Sequence, residues 1–563
     1  MKVVIVGGVA GGMSAATRLR RLKDDAEIVV LERGAHVSYA NCGLPYYLGG
    51  VIEERDRLLV QTPEALRARF ELDVRVRSEV VAIDRAARTV RVRDLDGGRE
   101  YDETYDRLVL SPGARPFVPE LPGVSRARTL RDVTDVDRVA ADLDAGARTA
   151  VVVGGGFIGV EAAENLRERG LAVTLVELAD QVLPPLDPEM AAPVADELRA
   201  HGVRIELGAE LAAVGTDDVT LADGRTLPAD LVLMAIGVRP DTRLASDAGL
   251  VLGVRGGIAV DDRQRTSDPY VYAVGDAAEK RDALSGEPTL IPLANLANRH
   301  GRLVADALAG RPVRAREAAG TAVVKVFGRT AAATGWNEKR LRGAGRPYQA
   351  VHLHPGSHAS YYPGASPIAL KLLFDPTDLR ILGAQAVGAA GVDKRIDVIA
   401  TAMAGGLSAA DLADLELAYA PPYGSAKDPV NMAGTIAENL ATGISVSVQW
   451  HEVAGLVADG AALIDVRGRD EHARGAIPGA LNIPVDELRA RIAEVPAGRP
   501  LVVHCQVGLR GHTAARLLTQ LTGRPVANLD GGYATWAATA DARPHAAGPV
   551  QPRTPVEAAP RAA

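Results

Sequence analysis

The sequence predicts an α/β protein built from two Rossmann-like dinucleotide-binding domains, a mixed strand–helix segment and a C-terminal α/β unit. Three observations carry this. A strand–glycine turn–helix–strand unit occurs twice, at 2–32 and at 150–177. The run RLVLSPGARP at 107–116 has a near-copy, LVLMAIGVRP, at 231–240. From residue 448 a compact run of buried-strand and helical patterns follows, after a mixed stretch at 320–440 that has no glycine fingerprint.

The first unit opens on the apolar strand KVVIV at 2–6, turns at Gly7 to Gly12, runs a helical pattern to Lys23 and closes on a strand ending in Glu32. The second has AVVV at 150–153, the turn Gly154, Gly156, Gly159, a helix to Arg169 and a strand ending in Glu177. In both, a carboxylate stands about 20 residues after the glycines, the layout that binds a dinucleotide. Glycines let the backbone approach a pyrophosphate, and the helix N-terminus offers free N–H groups. Glu32 and Glu177 are placed to accept from a ribose diol. The first fingerprint carries Val9 at its middle glycine position, whereas the second is complete. Leu178 and Ala179 follow Glu177 with no basic residue nearby, which favours NADH; NADPH stays open as the alternative.

Length and composition narrow the rest. The 563 residues correspond to roughly three to five domains. With 64 basic against 71 acidic residues and no basic block, no nucleic-acid partner is expected. No run approaches the ~18 apolar residues of a membrane span, and the opening MKVVIVGG lacks a signal-peptide layout, so a cytoplasmic location is expected. The chain has two cysteines, Cys42 and Cys505, which exclude a disulfide framework. His352, His354 and His358 cluster without further ligands, and no metal centre is expected.

A further stretch, YVYAVGD at 270–276, sets Asp276 on a glycine turn after a strand, where it can bond a polyol. With the two fingerprints, residues 1 to about 440 resemble the two-dinucleotide flavoprotein disulfide reductases. The resemblance implies FAD on the first unit with Asp276 at its ribitol, a pyridine nucleotide on the second, and a homodimer formed through 321–443. The domains are then expected at 1–115 and 241–320 (FAD), 116–240 (NAD(P)H), 321–443 (dimerisation) and 448–545. A Pro/Ala-rich tail, 546–563, is expected to be disordered.

Cys42 lies in SYANCGLPYY at 38–47. Pro45 suits a first helical turn, so the sulfur is expected at a helix N-terminus with a lowered thiol pKa. A second cysteine a few residues on, as in dithiol reductases, is missing, so Cys42 works alone through a mixed disulfide or a sulfenic acid. The peroxide- and oxygen-reducing relatives carry a histidine in the first glycine turn; this turn has none. VAGG at 9–12, SYANC at 38–42 and LAYAPPY at 417–423 resemble coenzyme A-disulfide reductase. That resemblance implies coenzyme A contacts at Ser14, Arg18, Arg21, Ser38, Asn41, His300 and Lys427. It also implies that Tyr361 and Tyr419 act near the reactive sulfur of the other subunit. Ser14, Arg18 and Arg21 share one helical face, where two guanidiniums suit phosphates.

Cys505 ends the buried-strand pattern LVVHC at 501–505 and precedes the turn to a helix. Such a loop cradles an anion with backbone N–H groups, and Arg510 adds charge. LIDVR at 463–467, GAIPGA at 475–480 and DGGYATW at 530–536 make 448–545 resemble a rhodanese domain. Cysteine phosphatases place five residues between Cys and Arg; four stand here, which implies a sulfur carrier with a persulfide on Cys505. The composite reading is an NADH-dependent flavoprotein that reduces coenzyme A disulfide, coenzyme A persulfide or polysulfide through Cys42, with the rhodanese unit handling sulfane sulfur. Two alternatives stand beside it: an NADH oxidase or peroxidase using a Cys42 sulfenate, and a non-redox sulfurtransferase or sulfur-sensing module.

Overall fold

In the computed structural model residues 1–539 are described, and they form two compact units. One comprises Met1–Ala350 with Pro355–Met432; the other joins Val351–His354 to the chain from Ala433 onward. The expected tail, 546–563, lies outside the described residues.

In the first unit the strand Lys2–Val6 is the middle of a five-stranded parallel sheet. Glu27–Leu31 and Asp73–Arg75 lie on one side, Arg107–Leu110 and Val271–Ala273 on the other. Val3, Val4 and Ile5 are fully buried. β-Branched side chains fit a strand covered on both faces, and each such burial is worth about 1.5–3 kcal/mol. The chain leaves Lys2–Val6 through Gly7, whose φ of +99° suits glycine, and enters the helix Ala10–Leu22. Gly12 packs against the turn so closely that a Cβ would sit 1.9 Å from the Gly7 carbonyl oxygen.

The second fingerprint repeats this geometry. Thr149–Val153 lies in a four-stranded parallel sheet with Ala172–Glu177, Arg204–Leu207 and Leu231–Met234. Gly154 takes φ +108°, and a Cβ on Gly159 would sit 1.8 Å from the Gly154 carbonyl oxygen. The glycines at 12 and 159 therefore serve helix–turn packing in both halves. The expectation of two Rossmann-like units is met.

The last part of the first unit is α+β, as expected. Ala322–Val326, Arg329–Gly335, Ile381–Gly388 and Ile368–Phe374 pair antiparallel, and the helix Val392–Gly405 covers them. A buried charge cluster ties this layer to the second dinucleotide fold. Lys371, fully buried, meets Asp187 at 2.8 Å, Glu338 at 2.6 Å and Glu189 more closely still.

The second unit holds a five-stranded parallel sheet, in the order Ser447–Val448, Val526–Leu529, Leu501–His504, Ala462–Asp465 and Leu481–Asn482. It is the α/β unit read at the C-terminus. Inside this unit His352 reaches the sheet's last loop: its Nδ1 lies 2.6 Å from Asp530 Oδ2, and Asp530 also accepts from the His352 N–H at 3.0 Å. His354 Nε2 is 2.7 Å from the Thr535 hydroxyl. Two of the clustered histidines thus serve an internal clamp.

Candidate active site

A single cleft of about 1960 Å³ gathers the first unit's chemistry. It is roughly twice the upper end of an ordinary single-ligand pocket, about 1,000 Å³. Gly7, Gly11, Glu32, Cys42, Gly154, Gly156, Glu177 and Asp276 all line it. Sequence positions more than 200 apart meet there because both sheets present the C-terminal ends of their parallel strands to one space.

The helices Ala10–Leu22 and Phe157–Glu168 both start at the cleft wall, and no side chain caps either N-terminus. Their first N–H groups therefore lack an intrahelical partner and carry the positive dipole end. Gly8 is as constrained as its neighbours, since a Cβ there would sit 2.6 Å from Val37 Cγ1. Glu32 accepts from the N–H groups of Gly8 (2.8 Å) and Gly34 (2.7 Å), and Glu177 from those of Gly155 and Ala179. Each carboxylate is held at the rim by its own turn, a parallel between the halves. Asp276 sits in the short helical turn Gly275–Ala277 on the same wall. Two uncapped helix ends, two fixed carboxylates and a glycine-built approach fit two dinucleotides, FAD on the first fold and a nicotinamide nucleotide on the second.

Cys42 stands in the 3₁₀ turn Asn41–Gly43, ahead of the helix Leu44–Leu48 with Pro45 in its first turn. The thiol is free and exposed to the cleft. The expected lowering of its pKa is not found. Protein surrounding the sulfur on the concave floor pushes the thiol up, and the charges of Glu161 and Asp276 add to this. A helix of five residues offers too small a dipole to oppose them.

The residues matched to coenzyme A contacts fall on two packed helices and the cysteine loop, except Lys427, which lies ahead of the helix Pro429–Ala441. Ser14 donates to Asn298 Oδ1 at 2.7 Å. Arg18 is engaged by Asp306, at 3.1 and 2.8 Å, while Arg21 is exposed and donates to the Thr17 carbonyl. One of the two guanidiniums on that face is therefore already paired, a partner that helical spacing could not reveal. Ser38 takes a left-handed φ of +48° beside the first glycine turn. Asn41 lines the cleft next to Cys42. His300 is buried, and neither ring nitrogen has a hydrogen-bond partner among the described residues. Burial and the nearby Lys280 lower its pKa to about 4. Lys427 is exposed, next to the buried Asp428.

Tyr361 and Tyr419 come together, their hydroxyls 2.7 Å apart, and both rings are exposed. Neither lines the cleft that Cys42 faces. The backbone around them is held by Arg395, buried, which donates to the Ser357 carbonyl (2.9 Å) and Asp428 (3.0 Å).

In the second unit Cys505 follows the strand Leu501–His504 and is fully buried. The Gly508 N–H points at its sulfur, 3.2 Å away, from the foot of the helix Leu509–Thr522. Gly532 is required beneath this loop, because a Cβ would meet the Cys505 carbonyl oxygen at 2.6 Å. Arg510 makes a two-pronged ion pair with Glu471, 2.7 Å on each arm. Sequence reasoning missed Glu471, whose only signal is its place in an acidic helical turn after DVR. It also missed Glu161, two residues beyond the last glycine of the second fingerprint, and Tyr46, four beyond Cys42.

Two dinucleotide folds opening on one cleft, with a cysteine on its floor, define a flavoprotein oxidoreductase that draws on a pyridine nucleotide. The chain belongs to the pyridine nucleotide-disulphide oxidoreductase family, whose main domain matches residues 1–301 and whose dimerisation domain matches 321–429. A rhodanese-like domain matches 449–539. The chain is 36% identical over 439 residues to a coenzyme A disulfide reductase of Staphylococcus aureus, covering 77% of this chain and 99% of that protein. Reduced CoADR-RHD of Bacillus anthracis superposes with a TM-score of 0.94 at 50% identity, over 96% of this chain and 98% of that one. An NAD-dependent persulfide reductase from A. fulgidus gives 0.90 at 37% identity, over 95% and 100%. No helix among the described residues is long and apolar enough to cross a membrane.

Proposed function

We propose that this protein uses NADH to reduce coenzyme A disulfide, coenzyme A persulfide or polysulfide at Cys42, and that Cys505 carries sulfane sulfur. The observation that carries the first part is Cys42, unpaired, on the floor of a cleft walled by both fingerprints. The relatives named for coenzyme A disulfide and persulfide reduction support the substrate class.

The net reactions are R–S–S–R′ + NADH + H⁺ → RSH + R′SH + NAD⁺ and R–S–SH + NADH + H⁺ → RSH + H₂S + NAD⁺. FAD, when bound, would supply two-electron transfer between NADH and the sulfur centre. The Cys42 thiolate attacks one sulfur, the S–S bond breaks, and a mixed disulfide Cys42–S–S–R remains while the leaving thiolate takes a proton. Cys42 is regenerated when that disulfide is reduced. Glu32 and Asp276 would hold the FAD ribose and ribitol, and Glu177 the nicotinamide nucleotide's ribose. Ser14, Arg18, Arg21, Ser38, Asn41, His300 and Lys427 form the coenzyme A path. Tyr361 and Tyr419 extend from the exposed face of one subunit to the site of the other in a homodimer, where a hydroxyl protonates the leaving thiolate. In the rhodanese unit the Cys505 thiolate takes the outer sulfur of a persulfide, releases the donor thiolate, and passes the sulfur to a thiol acceptor.

Anaerobic NADH consumption by the FAD-loaded enzyme, with coenzyme A disulfide, coenzyme A persulfide and polysulfide in parallel, tests this reading. Turnover that is lost in Cys42→Ser is expected. Turnover only after air is admitted assigns the protein to NADH oxidases instead. Sulfur transfer by a preparation that takes up no flavin assigns it to sulfurtransferases.

A further inference from the structure

The Cys42 cleft has a neighbour. A second cavity of about 410 Å³ is lined by Tyr46, Lys325, Thr330 and Gly391, among others. Glu161 lines both cavities, as Val323 and Asp393 do, and so belongs to the wall they share. It lies on the helix Phe157–Glu168, two residues past Gly159. On the side of the smaller cavity the Tyr46 hydroxyl donates to Glu161 Oε1 at 3.1 Å. Tyr46 belongs to the helical turn Leu44–Leu48 that follows Cys42, so the partner of Glu161 and the reactive sulfur ride on adjoining turns.

The charged and titratable groups around Glu161 are few. Glu164, one turn along the same helix, is buried and paired with Lys325 Nζ at 2.8 Å. The Lys325 side chain is 60% exposed, so the smaller cavity opens to water at its ammonium. Cys42 lies on the cleft side, and Asp393 lines both spaces from an exposed position. Burial is the main cause that pushes the Glu161 carboxyl up to about 7, with Glu164 adding to it and the Tyr46 hydrogen bond opposing it.

Reduction of a disulfide or persulfide by NADH consumes one proton per turnover, and the cleft is filled by two dinucleotides and a substrate when it happens. We propose that Glu161, held by Tyr46, is the port through which that proton enters the Cys42 cleft from the smaller cavity. The inference rests on the proposed disulfide or persulfide reduction. A proton from bulk solvent, relayed by water in the smaller cavity, protonates the Glu161 carboxylate. The carboxylic acid then turns its O–H to the cleft and gives up the proton, which replaces the one a tyrosine hydroxyl gives the leaving thiolate; the carboxylate is restored and again accepts from Tyr46. No electrons move in these steps.

The test uses the FAD-loaded enzyme and the variants Glu161→Gln, Glu161→Asp, Tyr46→Phe and Asp393→Asn. Anaerobic kcat is measured from pH 5.5 to 9, and alkylation of Cys42 by iodoacetamide is followed over the same range without substrate. Wild-type kcat is expected to fall above neutral pH as the port loses its proton. Glu161→Gln is expected to be at least about tenfold slower at pH 6, the scale at which a positioned proton donor acts, and to lose that limb. Glu161→Asp restores the limb in part. Tyr46→Phe moves the limb upward, because a hydrogen bond to the carboxylate is gone, and Asp393→Asn leaves the profile unchanged. Cys42 alkylation reports independently: removing the Glu161 charge shifts its midpoint to lower pH. Wild-type kcat and pH profile in Glu161→Gln overturn the proposal, as does a limb that disappears in Asp393→Asn instead. An alkylation midpoint unmoved in Glu161→Gln overturns the coupling to Cys42. Turnover that survives Cys42→Ser overturns the proposed reaction itself, a separate outcome.

Discussion

Arg510 and Glu471, 39 positions apart, meet in a two-pronged ion pair at the mouth of the Cys505 loop. The pair makes the loop nearly neutral, and Arg510 holds the Glu471 carboxyl down at about 2, so Glu471 stays ionised at every working pH. Glu471→Gln leaves a net positive loop and is expected to lower the KM for thiosulfate several-fold. Arg510→Met leaves the carboxylate alone and raises it. Thiosulfate–cyanide sulfur transfer at low and high ionic strength checks both, because salt screens the effect. Equal KM values at low salt in the two variants would discard the charge argument.

The Tyr361 and Tyr419 hydroxyls share one hydrogen bond, in which either can be the donor. Replacing one by Phe leaves the other with a hydroxyl but without its partner. Each single variant is expected to lose roughly tenfold or more in kcat, at the low end for general acids, with the double variant little worse. A double-mutant cycle in which the two losses simply multiply would show that they act separately.

Glu177 accepts from the N–H groups of Gly155 in the glycine turn and of Ala179 just past its own strand, and the residues that follow it, Leu178 and Ala179, offer no cation to a 2′-phosphate. Glu177→Arg is expected to shift the NADPH:NADH ratio of kcat/KM by about tenfold or more, equal to ~1.4 kcal/mol. Steady-state kinetics with both nucleotides decides it, and an unchanged ratio would move nucleotide choice elsewhere.

Lys371 is buried among Asp187, Glu189 and Glu338, and its pKa is raised well above the usual value by those carboxylates against the cost of burial. Lys371→Met strips three buried carboxylates of their common cation. The expected loss is about 3–5 kcal/mol, read as a lower urea midpoint for the first unit. A midpoint within error of wild type would mean that the acids take up protons at no cost.

His354 and His504 in the second unit are held near pKa 4, each chiefly by burial. A base whose folded pKa lies below its unfolded value binds protons more strongly when unfolded. Their contribution is therefore complete above about pH 6.5 and lost as pH falls toward 4. Between pH 7 and 5 the loss for His504, which is fully buried, is on the order of 2 kcal/mol. Thermal melts of the full chain should show the second unit's transition falling with acid, and His504→Leu should flatten that slope. A slope unchanged by the substitution would place the acid sensitivity in other groups.

Much of this molecule is legible in its residues alone. Two strand–glycine–helix units with a terminal carboxylate announce their folds, because a glycine at 7 or 154 and a close contact at 12 or 159 are demands of local backbone geometry. Cys42 and Cys505 stand out because the chain has no other cysteine, and each lies on a loop that ends a recognisable pattern. What local pattern cannot hold is which charges meet across the fold. Asp306 on Arg18, Glu471 on Arg510, Glu161 between two cavities and the raised thiol of Cys42 all depend on residues distant in sequence. Helical spacing made Arg18 look free, and a proline turn made Cys42 look like a ready thiolate. Ion pairing and desolvation act through space over a few ångströms and are indifferent to chain order, so only the tertiary structure decided them.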